Sequence, residues 1–166
     1  MNKEELVQEI TKTKEQLVKL QQALEEKEYE RWKPSIDERF YYIDSSNSAN
    51  TKFFDPDNLY DRNQLNTFNC FKTEAEAEAE AEKILVRRQL EAIARRLDKG
   101  NKLYWGHSSI RKYSLAYDGY YDQIDMSSTF GYKYQGTVYC SDKTFKDVAI
   151  QEIGLERLTK YLKDEY

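Results

Sequence analysis

The first thirty residues carry apolar side chains at alternating spacings of three and four residues. The seam positions are Leu6, Ile10, Thr13, Leu17, Leu20 and Leu24, of which Thr13 is the only polar one. This heptad pattern is typical of a coiled coil, and a stripe this narrow suits a coiled coil better than a globular face. The other faces are mostly Lys, Glu and Gln, so the helix needs a partner, which is another copy or its own domain. We expect self-association through residues 1–30, with the helix ending before Pro34.

Residues 36–71 change to an aromatic and polar composition that favours β-strands. Residues 38–44 are predicted to form a strand, and residues 51–54 are placed to pair back with it. Residues 55–64 have the composition of a loop, and residues 65–71 are predicted to form another strand.

The run of alternating Glu and Ala from Glu74 has the spacing of a half-buried strand, but both residue types favour helices. Thr73 and Glu76 match a capping box, and an apolar stripe continues from Val86 to Leu97. We therefore predict a helix from Thr73 onwards, stopped by Gly100. Its alanines form two flanks, and its glutamates form a solvated face.

The second half repeats this order of elements. Strands are predicted at 110–118, 120–126 and 136–140, then a helix from Lys143 and a short helix after Gly154. Both halves have an Arg-led aromatic strand, a strand ending in Cys, a Lys-Thr pair and a helix. The interpretation is an α+β domain at 36–166, with one repeat at 36–99 and the other at 110–166. The repeats are expected to form one antiparallel sheet with helices on one face.

Four sequence blocks resemble a family of uncharacterised phage and prophage proteins of low-GC Gram-positive bacteria. After a heptad helix come Trp-Lys-Pro at 32–34, Tyr-Tyr-Ile at 41–43, an Asn-x-Phe-Lys-Thr block at 69–76, and an Ile-Gly-x-Glu-Arg block within 149–161. The Glu-Ala run departs from the Glu-Glu-Ala-Glu of that family. The resemblance brings no catalytic residues, and it implies a phage accessory protein, a class that often acts against host defences such as CRISPR systems.

Charge and composition narrow the functional class. The 166 residues carry a net charge of −4 with both signs interspersed, whereas direct nucleic-acid binding favours a clearly basic surface. There is no apolar run long enough to span a membrane and no leader pattern, so we expect a protein in the cytoplasm of the infected bacterial host. Two cysteines are too few for a disulfide framework or a zinc site. No metal or cofactor is expected.

The sequence contains no specific signal for catalytic residues. His107 is the only histidine and lies in no nucleophile motif, and no phosphate-binding glycine motif is present. Asp55, Asp57 and Asp61 lack the Gly and Glu of a calcium loop, and turn chemistry explains them better. We expect no enzyme; a nuclease built on Asp55 or Asp57 is the last alternative.

The composition is unusual in its number of tyrosines, which is 14 among 166 residues. Tyrosine enriches at interfaces because it offers a large contact area with few rotatable bonds. The expected binding residues are Tyr113, Tyr117, Tyr120, Tyr121, Tyr132 and Tyr134, with Arg39 and Arg111 as candidates for an anion.

The sequence leaves three functions open. The first is a non-catalytic interaction protein that inhibits a host anti-phage defence component, such as a CRISPR effector, by direct binding. The second is sequestration of a small nucleotide signal by an oligomer, and the third is a structural or assembly role in the virion. Mimicry of nucleic acid by Glu74, Glu78 and Glu82 also stays open, although a solvated helix face explains them better.

Overall fold

The computed structural model of the chain describes residues 10, 12–14, 16–17, 19–20, 32–103, 105 and 109–164. In chain order the elements are β1 (Arg39–Ile43), β2 (Ala49–Phe53), α1 (Leu59–Asn66), α2 (Glu74–Leu97), β3 (Lys112–Asp118), β4 (Gln123–Thr129), α3 (Phe145–Ile153) and α4 (Leu155–Lys163). Helices and antiparallel strands occur together, which confirms the α+β class.

The described residues between 10 and 20 are helical. Ile10, Leu17 and Leu20 are 52%, 57% and 70% exposed, so the chain itself leaves these apolar side chains largely uncovered. Leu6 and Leu24 lie outside the described residues. The coiled coil therefore stays a prediction.

The prediction of one antiparallel sheet is wrong. Within the described residues, β1 pairs with β2 and β3 pairs with β4 in two separate two-stranded sheets. On the side away from its hairpin partner, the first strand of each hairpin pairs with a later segment of the chain. Tyr41 of β1 exchanges two backbone hydrogen bonds with Phe71, and Tyr113 of β3 exchanges two with Cys140. Because these edges are occupied, the two hairpins do not join through β1 and β3.

Two predicted strands are also corrected. Residues 59–66 form helix α1, whose first turn is capped by the Asn58 side chain accepting from the Tyr60 amide, so the strand expected at 65–71 shrinks to the bridge at Phe71. The Asn69 amide group replaces strand pairing by bonding both the N–H and the C=O of Ile43, at 2.8 and 2.7 Å. The strand expected at 136–140 is likewise reduced to the bridge at Cys140.

Helix α2 confirms the helical interpretation of the Glu-Ala run. The Thr73 hydroxyl accepts from the Glu76 amide, and the Glu76 carboxylate accepts from the Thr73 amide, which is the capping box. Only one of the two alanine flanks is buried, that of Ala77 and Ala81.

Helix α2 joins two apolar cores. Its first half packs against β1 and β2, where Asn47 donates to the carbonyl of Ala81 at 2.6 Å. The smaller core consists of Phe40, Phe54 and Cys70. The second half of α2 contributes to the larger core, with members from the second hairpin, α3 and α4: Val86, Leu90, Ile93, Ala94, Leu115, Ile124, Cys140, Phe145, Ala149, Ile153 and Leu158.

Candidate binding surfaces

Two of the predicted tyrosines lie at the turn between β3 and β4. Tyr120 and Tyr121 are 86% and 68% exposed, and their rings pack edge to face with centroids 4.7 Å apart. The Asp118 carboxylate accepts from both of their backbone amides, at 2.9 and 3.2 Å. We call residues 118–122 the aromatic tip. The hydrogen bonds fix its backbone while the rings face solvent.

The base of the aromatic tip is held by polar contacts. The Tyr117 hydroxyl donates to the Asp122 carboxylate, and the Lys163 ammonium lies 3.4 Å from the same oxygen and 4.4 Å from the Tyr117 ring centroid. This hydrogen bond raises the pKa of Tyr117, and it lowers the pKa of Asp122 together with Lys163. Helix α4 is thereby linked to the base of the hairpin turn.

The other predicted tyrosines do not join this surface. Tyr113 and Tyr117 flank the core residue Leu115 on the same face of β3 and are half-buried. Tyr132 and Tyr134 are 76% and 69% exposed, but they follow the far end of β4. The whole of β4, seven residues that span about 20 Å, lies between the two exposed pairs along the chain. The tyrosines therefore do not line a single sheet face.

Arg39 and Arg111 occupy corresponding places in the two hairpins. Arg39 lies opposite Phe53 at the open end of the first hairpin, with its guanidinium 5.4 Å from the ring centroid. Arg111 is just outside β3, with its guanidinium 5.1 Å from the Phe130 ring centroid. Each candidate anion-binding arginine is thus already engaged with an aromatic ring of its own hairpin.

The candidate acidic site is explained by local contacts. The Asp55 carboxylate accepts from the Asp57 amide, and the fully buried Asp61 accepts from the Asp55 amide and pairs with Lys52. Within the described residues, no group of three His, Cys, Asp or Glu side chains is placed to hold a metal ion. His107 lies outside those residues.

A cleft of about 740 Å³ was missed by the sequence reasoning. One wall is a face of α2 and its C-terminal end that carries Arg87, Glu91, Arg95 and Asp98 at helical spacing. The other walls are residues 100–103 with Trp105, and Lys133 with residues 135–139. We call it the basic cleft, because four basic and two acidic side chains line it. The spacing on α2 was readable in the sequence, whereas the facing walls depend on the fold.

Comparison of the chain with protein-family models, curated proteins and solved structures found no match. No helix among the described residues is long and apolar enough to cross a membrane. The structural class therefore rests on the fold of this chain alone. It is an α+β protein that carries an exposed aromatic tip and a separate basic cleft.

Proposed function

We propose that this chain is a non-catalytic binding protein that contacts a protein partner through the aromatic tip. The observation that carries the proposal is the pair Tyr120 and Tyr121, which is strongly exposed on a turn fixed by Asp118. Exposing two large rings to water has no benefit for folding. A partner surface that covers them gains their apolar area.

The geometry favours binding because the tip is organised beforehand. Tyrosine is enriched among the residues that dominate interface energies, and its side chain loses little conformational entropy. A turn held by Asp118 at one side and by Tyr117 and Lys163 at its base needs little ordering on association. An exposed hairpin turn with two aromatic rings fits a concave site on the partner.

The partner expected from the sequence resemblance is a host anti-phage defence component, met in the cytoplasm of an infected bacterium. Self-association through residues 1–30 would place several tips on one assembly. Linked sites raise the apparent affinity for an oligomeric or clustered target without new contacts. An inhibitor with a small contact surface on each copy would gain apparent affinity in this way.

The alternatives have different support. For nucleotide sequestration, the expected Arg39 and Arg111 each lie over a phenylalanine ring, so a nucleotide is better matched to the basic cleft. A virion role has no particular surface in its favour. The aromatic tip therefore remains the leading candidate surface.

The test compares three tagged full-length proteins expressed in phage-infected host cells: the unchanged chain, Tyr120→Ala/Tyr121→Ala and Tyr132→Ala/Tyr134→Ala. The second pair is matched in residue type and exposure but follows the other end of β4. Quantitative mass spectrometry of the purified material reports partners for each. We expect one host protein at comparable molar amount with the unchanged chain and with Tyr132→Ala/Tyr134→Ala, and its loss with the tip variant.

The purified pair is then titrated to measure the dissociation constant. If the two tyrosines lie at the centre of the interface, the dissociation constant of the tip variant should rise about a hundredfold or more. Equal affinity of both variants would show that the tip is not the contact surface. Co-purification only with phage particles would replace the proposal with the virion role.

A further inference from the structure

The basic cleft has the dimensions of a small-molecule site and is separate from the aromatic tip. Ligand sites generally enclose about 300–1,000 Å³, a range that includes its volume of about 740 Å³. Its lining combines helix α2, the turn after it and the segment that leads to Cys140. Helix α2 and the turn after it thus meet a segment that lies much further along the chain.

The acidic side chains of the cleft are already engaged. The Glu91 carboxylate lies 3.2 Å from the Arg87 guanidinium, with which it forms a helical ion pair. Asp98 is 8% exposed, and its carboxylate accepts from the amide and the hydroxyl of Ser141 at 2.8 and 2.5 Å. Among the described residues, neither carboxylate forms an ion pair with the other basic groups of the cleft.

Three exposed cations remain: Arg95, Lys102 and Lys133. Within the described part of the chain, none of them forms an ion pair. They come from three different walls, so their charges converge only because of the fold. A cleft lined by charges of one sign concentrates ligands of the opposite sign.

A fixed aromatic ring completes the cleft. The Trp105 ring packs edge to face on buried Tyr139, with centroids 4.9 Å apart. The Lys112 ammonium lies 5.2 Å from the centre of the Trp105 ring and donates to the carbonyls of Ile110 and Phe130. Trp105 is therefore positioned from two directions.

Lys112 itself points to an anionic ligand. Lys112 is only 1% exposed, and among the described residues no carboxylate forms an ion pair with it. The ammonium is held by two carbonyl oxygens and the Trp105 ring, and it adds positive potential beside the cleft. Burying a cation is costly without a counter-charge. An anion in the cleft would supply part of that counter-charge.

We propose that the basic cleft binds a small anionic ligand that carries an aromatic ring, with the chemistry of a nucleotide. The phosphate contacts Arg95, Lys102 and Lys133, and the base stacks on Trp105. Arginine and lysine are the usual phosphate ligands, and stacking of a base on an aromatic side chain tolerates any base identity. No bond is made or broken, so the cleft holds its ligand without chemistry.

The experiment is isothermal titration calorimetry on the full-length protein at low salt. The probes are AMP, GMP, CMP, UMP and cyclic di-AMP, with adenosine as a ring without phosphate and ribose 5-phosphate as a phosphate without a ring. We expect at least one nucleotide to bind, with adenosine and ribose 5-phosphate at least about tenfold weaker. Added salt should weaken binding, because the phosphate contacts are partly exposed.

Variants locate the site. Trp105→Ala and Arg95→Gln should each weaken binding about tenfold or more, and Trp105→Phe should restore most of the stacking contribution. Arg88→Gln is the matched control, because Arg88 is an exposed arginine of α2 outside the cleft lining. Thermal unfolding of each variant establishes that it is folded.

Several results would overturn the proposal. One is that no probe binds with a dissociation constant below about 1 mM. Another is that nucleotide binding is unchanged in both Trp105→Ala and Arg95→Gln, which would place the ligand elsewhere. Tighter binding of a single-stranded oligonucleotide than of any mononucleotide or cyclic di-AMP would replace a small ligand with a polynucleotide. The tip variants Tyr120→Ala/Tyr121→Ala should bind the nucleotide normally, which separates this proposal from that for the aromatic tip.

Discussion

Cys140 lies fully buried where the return segment pairs with β3. Its sulfur is 3.9 Å from the carbonyl oxygen of Ala94 and 3.6 Å from the Asp98 carboxylate. Burial, with a contribution from the negative charge of Asp98, raises the pKa of the Cys140 thiol to about 12. Reactive cysteines have lowered pKa values and access to solvent, so this one is structural.

The raised pKa gives a pH-dependent prediction. The ordinary thiol pKa is 9.0, so folding favours the protonated form, and this contribution to stability is complete below about pH 9. It decreases as the pH rises from 9 towards 12, because the unfolded chain loses its proton first. In a Cys70→Ala background, thiolate absorbance should appear near pH 9 only after unfolding in denaturant. A native protein that titrates near pH 9 would contradict the assignment.

At the scale of elements, the two halves begin their helices differently. Thr73 caps α2 with its hydroxyl, whereas Thr144, at the corresponding place before α3, makes no side-chain cap bond. The Thr144 hydroxyl instead donates to the Asp142 carboxylate, which also accepts from the Thr144 amide. The same residue type therefore has two different roles.

Replacing each threonine measures this difference. Thr73→Ala should lower the free energy of unfolding by about 1 kcal/mol, because a helix amide loses its acceptor. Thr144→Ala, the matched control, should cost less than about 0.5 kcal/mol. Urea unfolding followed by circular dichroism gives both values. A cost for Thr73→Ala below about 0.5 kcal/mol would show that the cap does not stabilise α2.

The elements predicted correctly are those with local signals. Thr73, Glu76 and the apolar stripe from Val86 identify α2 within one stretch of sequence, and the capping box overrides the period-two spacing. Helix α1 has no comparable stripe, and its start depends on the Asn58 cap. The separate sheets depend on the bridges at Phe71 and Cys140, which join residues about thirty apart.

At the scale of the whole molecule, convergence of distant segments limits what the sequence reveals. The two tyrosines of the aromatic tip are adjacent in the sequence, and the sequence alone predicts them as contact residues. The basic cleft combines Arg95, Trp105 and Lys133 from three segments. In the sequence, its basic residues are dispersed among acidic ones. The half-buried positions of Tyr113 and Tyr117 follow from Leu115 facing the larger core, which fixes the register of β3.

The N-terminal seam carries the last prediction. Ile10, Leu17 and Leu20 are exposed in the single chain, and burying them requires a second helix. Ile10→Glu/Leu17→Glu places a charge at the same position of two successive heptads. The self-association expected of residues 1–30 predicts that this variant is a monomer with an intact domain at 36–166. Lys12→Gln/Lys19→Gln is the matched control, because it changes the net charge by the same −2 at solvent-facing heptad positions.

Sedimentation equilibrium of the three full-length proteins, with nucleotide titrations alongside, distinguishes the outcomes. An oligomer for the unchanged chain and the lysine variant, and a monomer for the seam variant, is the expected result, since like charges facing each other across a seam are destabilising. If the seam variant keeps the full oligomeric state, the association surface lies elsewhere. The basic cleft is built within one chain, so its affinity should be the same in monomer and oligomer. A loss of nucleotide binding in the monomer would mean that a second copy contributes to the cleft.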